Sequence, residues 1–129
     1  MTNQPLVLII DDVEDNRDLY EEYLLFRGFR VRSAGDGRAG VALAREEAPD
    51  VVLLDLRMPG LSGMQTLHLL KELPSLAGVP ILALTAHALE EQRREALRAG
   101  FDAFIAKPCL PDDLVCEIER IIGRSLPTP

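Results

Sequence analysis

The sequence predicts an α/β fold, a parallel sheet covered by helices on both faces, and three observations carry that reading. Short apolar runs of strand length, among them Leu6–Ile10, Val51–Leu54 and Val79–Leu84, alternate with longer segments whose apolar residues recur at helical spacing. The runs are apolar throughout rather than every second residue, as strands buried on both faces are. Each run then stops abruptly at a polar side chain: Asp11 and Asp12, Asp55, or Thr85. Strands that alternate with helices pair in parallel through right-handed crossovers, so these polar ends gather on one edge of the sheet.

Taken in order, Leu6–Ile10 is the first strand. A helix follows from Val13 to Arg27, where Leu19, Tyr20, Tyr23, Leu24 and Phe26 recur among charges until Gly28 stops it. Phe29–Ala34 alternates partly and reads as a modest strand; Asp36 and Gly37 then open an alanine-rich helix running to about Ala48. Pro49 and Asp50 break it before the strand Val51–Asp55. Met58-Pro59-Gly60 and Ser62-Gly63 carry the chain over the sheet edge into a helix marked by Met64, Leu67, Leu70 and Leu73, which Pro74 and Ser75 end. Val79–Thr85 is the fourth strand, with Pro80 tolerated at its start. The helix Ala88–Arg98 has only Leu89, Ala96 and Leu97 to anchor it and is expected to be the most weakly packed. After Gly100, Phe101–Ala106 forms the fifth strand and ends at Lys107-Pro108, while Leu114, Ile118, Ile121 and Ile122 line a final helix. The expectation is one domain over residues 1–129, its core about 5–124 and a short disordered tail at 125–129.

A hydrophobic share of 47% in 129 residues suits a single core that folds without staples. The formal charge of -7 and a pI near 4.8 leave no footprint for phosphate neutralisation, which argues against nucleic-acid binding. No apolar run approaches the roughly 20 residues of a membrane span, and Met1–Pro5 has no basic region. Cys109 and Cys116, seven apart, match neither a zinc motif nor a disulfide framework, so a reduced, cytoplasmic setting is expected.

The chemistry lies in the strand ends: Asp11, Asp12, Asp55, Thr85 and Lys107. Each alone is explained as readily by a helix cap, an ordinary strand residue or a solvated amine. Together on one edge they form a set. Three carboxylates in close company repel and call for a cation. Magnesium takes an oxygen shell of one or two carboxylates completed by waters and phosphate oxygens. A lysine ammonium and a threonine hydroxyl can each hold a phosphoryl oxygen, and a carboxylate is a nucleophile without help from a base.

Asp11-Asp12 after the first strand, Asp55-x-x-Met58-Pro59 with Gly63 after the third, Leu84-Thr85-Ala86 after the fourth and Lys107-Pro108 after the fifth resemble the receiver domain of two-component response regulators, across essentially the whole chain. The resemblance implies a flavodoxin-like, doubly wound five-stranded parallel sheet in the order 2-1-3-4-5 with five helices. It implies that Asp55 takes a phosphoryl group from a histidine kinase or histidine phosphotransfer protein. Asp12, Asp55 and the backbone carbonyl of Arg57 would hold Mg2+, with Asp11 acting mainly through water. Thr85 would turn toward the phosphoryl group and Phe104, a Phe where many members have Tyr, would swing in behind it, with the small Ala86 leaving room. Arg57 and His87 would flank the path of the hydrolytic water and lengthen the lifetime of the acyl phosphate. Lys107-Pro108 is expected to be a cis peptide. A downstream protein would dock on the face of the fourth helix, fifth strand and fifth helix.

By this reading the chain is no enzyme beyond catalysing its own phosphorylation and dephosphorylation. A magnesium-dependent aspartyl phosphatase or phosphotransferase is the alternative from the enzyme class; Arg57 stands where such hydrolases carry a second acid, and no segment is long enough to cap a substrate. A degenerate receiver acting as a docking module is the other, and the five filled site positions argue against it.

Overall fold

The computed structural model describes residues 4–58, 60–86, 89–107 and 110–123. Chain order is β1 (Leu6–Ile10), α1 (Glu14–Phe26), β2 (Arg30–Ala34), α2 (Gly37–Glu46), β3 (Val51–Asp55), α3 (Gly63–Lys71), a 3-10 turn (Pro74–Leu76), β4 (Ile81–Thr85), α4 (Glu90–Ala99), β5 (Ala103–Ala106) and α5 (Pro111–Ile122). The strands form one parallel sheet in the order β2-β1-β3-β4-β5. Every residue of β1, β3 and β4 is buried, which is why their sequences are apolar without alternation.

Because successive strand side chains point to opposite faces, the sheet divides its apolar residues between two cores. Val7, Ile9, Val51, Leu53, Leu82 and Leu84 meet α1 and α5 through Tyr20, Leu24, Leu114, Val115 and Ile118. Leu8, Ile10, Val52, Leu54, Ile81 and Ala83 meet α2, α3 and α4 through Val41, Ala44, Leu67, Leu70 and Ala96.

Several sequence expectations need adjustment. In α1 only Tyr20 and Leu24 are buried, whereas Leu19 is 53% and Phe26 65% exposed; the apolar set spans too wide an arc for one sheet-facing stripe. Leu73 lies outside α3 and leads into the 3-10 turn, because Pro74 cannot continue the helix. Phe101 is buried but precedes β5; the ladder begins after Asp102, whose N–H donates to the Ile81 carbonyl. Helix α2 closes at Glu46, short of Ala48. Helix α4 is held even less firmly than its sequence suggests: Ala96 alone is buried, and Leu89 and Leu97 are 67% and 41% exposed. His87, Ala88, the Lys107-Pro108 bond, Cys109 and the tail lie outside the described residues.

Helix starts fall into two kinds. Asp36 caps α2 through Ala39 N–H, and Ser62 with Gln65 forms a reciprocal capping box on α3. Helices α1, α4 and α5 instead start after Val13, Leu89 and Leu110, which cap nothing, and carry acidic pairs in their first turns: Glu14 and Asp15, Glu90 and Glu91, Asp112 and Asp113. At the opposite edge of the sheet two aspartates cap strands. The Asp50 carboxylate accepts from Leu6 N–H at 2.7 Å and Asp102 from Ile81 N–H at 2.8 Å.

Gly63 sets how closely α3 can follow β3. A Cβ there would lie 2.6 Å from the Leu56 Cα and 2.8 Å from the Asp55 carbonyl oxygen, against backbone that cannot yield. Gly63→Ala is therefore expected to destabilise the fold by about 2–3 kcal/mol, the cost of forced overpacking, as measured by urea denaturation.

Candidate functional site

Asp11 and Asp55 occupy the ends of the neighbouring strands β1 and β3, and both are buried, at 0% and 5% exposure. Each carboxylate divides its oxygens in the same way. Oδ1 of Asp11 accepts from Val13 N–H and Oδ1 of Asp55 from Arg57 N–H, both at 2.9 Å, closing a turn two residues on. The Oδ2 atoms then face the Lys107 ammonium, which donates to Asp11 at 2.8 Å and to Asp55 at 3.3 Å. Lys107 reaches this position from the end of β5, where its own N–H donates to the Thr85 carbonyl at 2.7 Å. Thr85, buried at 2%, ends β4 between them.

Burial pushes the Asp55 carboxyl above the ordinary aspartate range; the Arg57 N–H and Lys107 oppose that, while Asp11 adds to it. For Lys107 burial favours the neutral amine, yet the bond to Asp11 and the charges of Asp55 and Asp11 outweigh it and hold the ammonium above its usual value. The Lys107 contact therefore favours the charged form of both partners, and for Asp55 burial outweighs it.

Asp12 is exposed and makes no hydrogen bond or ion pair among the described residues. One carboxylate oxygen each from Asp11, Asp12 and Asp55 nevertheless falls within 4.8 Å of the other two. Oxygens sharing an octahedral shell of radius about 2.1 Å lie at most about 4.2 Å apart, so a small side-chain rotation brings this set to a hard divalent cation. The donor set, all carboxylate oxygen, fits such an ion. Arg57 is exposed at the rim, with its backbone N–H already turned to Asp55.

Phe104, half-buried, packs against the core on the α4 side. It also edges a groove of about 440 Å³ between α4 and α5, lined by Arg93, Leu97, Phe104, Glu117 and Arg120. The structure thus brings together Asp11, Asp12, Asp55, Thr85 and Lys107, and sets Phe104 one layer away. Sequence reasoning did not single out Arg17, whose guanidinium donates to the Asp11 carbonyl at 2.7 Å; one arginine among the charges of α1 carries no signal of that contact.

A family profile described as "Response regulator receiver domain" matches residues 7–119. The chain belongs to that family. As a receiver domain it is a signalling module of two-component systems. It is 36% identical over 123 residues to the probable transcriptional regulatory protein TcrX of Mycobacterium tuberculosis, a match that takes in 95% of this chain but only 52% of TcrX. The chain therefore spans about half the length of that curated relative. Among solved structures it resembles chemotaxis response regulator CheY4 of Vibrio cholerae, with 28% identity, TM-score 0.87, and 92% of this chain and 99% of the other covered. The receiver domain of the sensor histidine kinase PA1611 from Pseudomonas aeruginosa PAO1 matches with 32% identity, TM-score 0.85 and coverage of 93% and 98%; that structure is described as holding a magnesium ion in its active-site cleft.

The raised Asp55 pKa has a consequence for stability. A carboxyl that binds its proton more tightly folded than unfolded loses stability as pH rises through the folded value. Asp55→Asn removes that penalty, so without divalent cations its Tm should exceed that of the parent at pH 7. The gap should close below about pH 4, where the unfolded aspartate is also protonated. Calorimetric scans across that range measure it, and a variant less stable than the parent at pH 7 would contradict the assignment.

Proposed function

We propose that Asp55 is the phosphoacceptor of this receiver domain, taking the phosphoryl group of a phosphohistidine on a histidine kinase or histidine phosphotransfer protein. The observation that carries it is the bridging of two buried carboxylates by Lys107, with a third carboxylate within reach. A carboxylate oxygen of Asp55 forms the new bond to phosphorus as the bond to the histidine nitrogen breaks; the bonding pair stays on that nitrogen, and because the phosphohistidine ring carries a proton on its other nitrogen, a neutral imidazole leaves on the donor and an acyl phosphate on the receiver.

Asp12, Asp55 and the Arg57 carbonyl would hold Mg2+, with Asp11 contributing through water; the ion supplies neutralisation of the phosphoryl charge. Lys107 needs only to exchange its longer bond, to Asp55, for one to a phosphoryl oxygen, while its bond to Asp11 keeps it in place. Such an exchange draws on the end of β5, which Lys107 N–H ties to Thr85. The Thr85 hydroxyl then turns to the phosphoryl group and Phe104 moves in behind it, shifting the population between two packings. With Ala96 as its one buried residue, α4 resists this least, and the face of α4, β5 and α5 around the Phe104 groove is where a downstream protein docks. Arg57 and His87 slow hydrolysis by obstructing water. The protein acts in the cytoplasm and catalyses nothing beyond its own phosphorylation and dephosphorylation.

Incubation with acetyl phosphate and magnesium should add one phosphoryl group to the parent protein by intact mass, and none to Asp55→Asn or in the presence of a chelator. A phosphorylated Asp55→Asn would defeat the assignment. Arg57→Ala and His87→Ala should each speed loss of the phosphoryl group by about threefold, under 1 kcal/mol of barrier. Beryllofluoride should shift amide resonances mainly in α4, β5 and α5; shifts confined to α2 and α3 would place the switching face elsewhere.

A further inference from the structure

Asp12 differs from the other two carboxylates in having nothing of its own to hold it. Asp11 is fixed through every polar atom: its N–H donates to Ala34 at 3.1 Å, Oδ1 and Oδ2 accept from Val13 and Lys107, and its carbonyl accepts from Arg17 at 2.7 Å. Asp55 is fixed by Arg57 N–H and Lys107. Asp12 makes no bond among the described residues, so the backbone, which fixes its Cα–Cβ bond, is what limits where its carboxylate can reach. The peptide that sets that direction is the one joining Asp11 to Asp12, whose oxygen is the atom Arg17 grips.

The grip is built from two elements. Arg17 stands one turn into α1, with its own N–H donating to the Val13 carbonyl, so the helix start serves as the anchor. Its guanidinium reaches back six residues to Asp11 and lies across the start of the β2–α2 connection. A Cβ on Gly35 would sit 3.0 Å from Nη1 and 3.5 Å from Cζ, so glycine at this position leaves the space the guanidinium occupies.

We propose that Arg17, seated on Gly35, is a positioning residue of the cation site: by fixing the Asp11–Asp12 peptide it preorganises the Asp12 carboxylate for a divalent ion. This rests on reading the three aspartates as the receiver's magnesium site. Two effects of the arginine oppose each other, which makes the idea testable. A positive charge near the site weakens cation binding, and its removal on that ground alone would tighten it. Preorganisation acts the other way, because loss of a partner that orients metal ligands typically costs about 10- to 100-fold in affinity.

Magnesium chloride titrations of the full chain, followed by amide resonances and by calorimetry, separate the two. Arg17→Gln should weaken the Mg2+ Kd by about tenfold, the low end of that range, because the carboxylates themselves remain. Arg17→Lys, which keeps the charge and one donor, should recover part of the loss. Gly35→Ala, which crowds the guanidinium, should shift the Kd in the same direction by a smaller factor. Asp102→Asn, which disturbs a strand cap at the opposite edge, should leave the Kd unchanged. Unchanged or tighter binding by Arg17→Gln overturns the proposal. Should that variant fail to fold by circular dichroism, Gly35→Ala decides, and an unaltered Kd there overturns it equally. A parent protein with no saturable Mg2+ binding sinks the metal-site reading and this inference together, whereas parent binding with an indifferent Arg17→Gln sinks the inference alone.

Discussion

The ammonium of Lys107, lodged between Asp11 and Asp55, is the constraint on which the arrangement turns. Two buried carboxylates at the ends of adjacent strands would repel, and a buried ion pair is tolerated only when its geometry is good and its spare lone pairs are satisfied. Both conditions are met by a division of labour: one oxygen of each acid closes a local turn and the other faces the lysine. The strand order makes this possible. With β1 beside β3 and β5 beyond β4, a long side chain from the end of β5 must cross the end of β4 to reach them, so Thr85 lies under its path.

What the sequence disclosed and what it withheld divide along one line. Features carried by a residue's own chemistry and place in a run were legible. The strands showed as unbroken apolar stretches, and the acids and the lysine showed as the polar residues that end them. Features that depend on which arc of a helix finds a neighbour were not. Leu19 and Phe26 match Tyr20 and Leu24 in hydrophobicity, and only the packing of α1 decides that the first two stay in water. Arg17 was invisible for a related reason, since its partner is a carbonyl oxygen that every residue possesses. The Asp55 turn is closed by the backbone N–H of Arg57, where side-chain identity again says nothing.

The two faces of the sheet are unequally secured. On one, α5 buries Leu114, Val115 and Ile118, and Tyr23 bonds Asp112 while Arg27 lies between Asp112 and Glu119 at 4.0 and 3.9 Å, tying α1 to α5. Pairs this long at a partly exposed site contribute little energy each, but they fix the relative position of the two helices. On the other face, α4 rests on Ala96. Local stability follows buried apolar contact, so the element beside β5 that opens at least cost is α4.

The uncapped helix starts have an electrostatic meaning beyond helix stability. Helices α1, α4 and α5 all begin at the edge of the sheet that holds the three aspartates, and each brings two carboxylates to its first turn, while α2 has only its cap Asp36 and α3 has none. The six carboxylates offset the positive helix ends; Asp112 is taken up by Tyr23 and Arg27, and the others add negative charge at an edge where Arg17, Arg57 and Lys107 supply the positive charge. Negative charge of this kind favours the approach of divalent cations over that of small anions. Salt screens that preference over a Debye length of about 8 Å at physiological ionic strength.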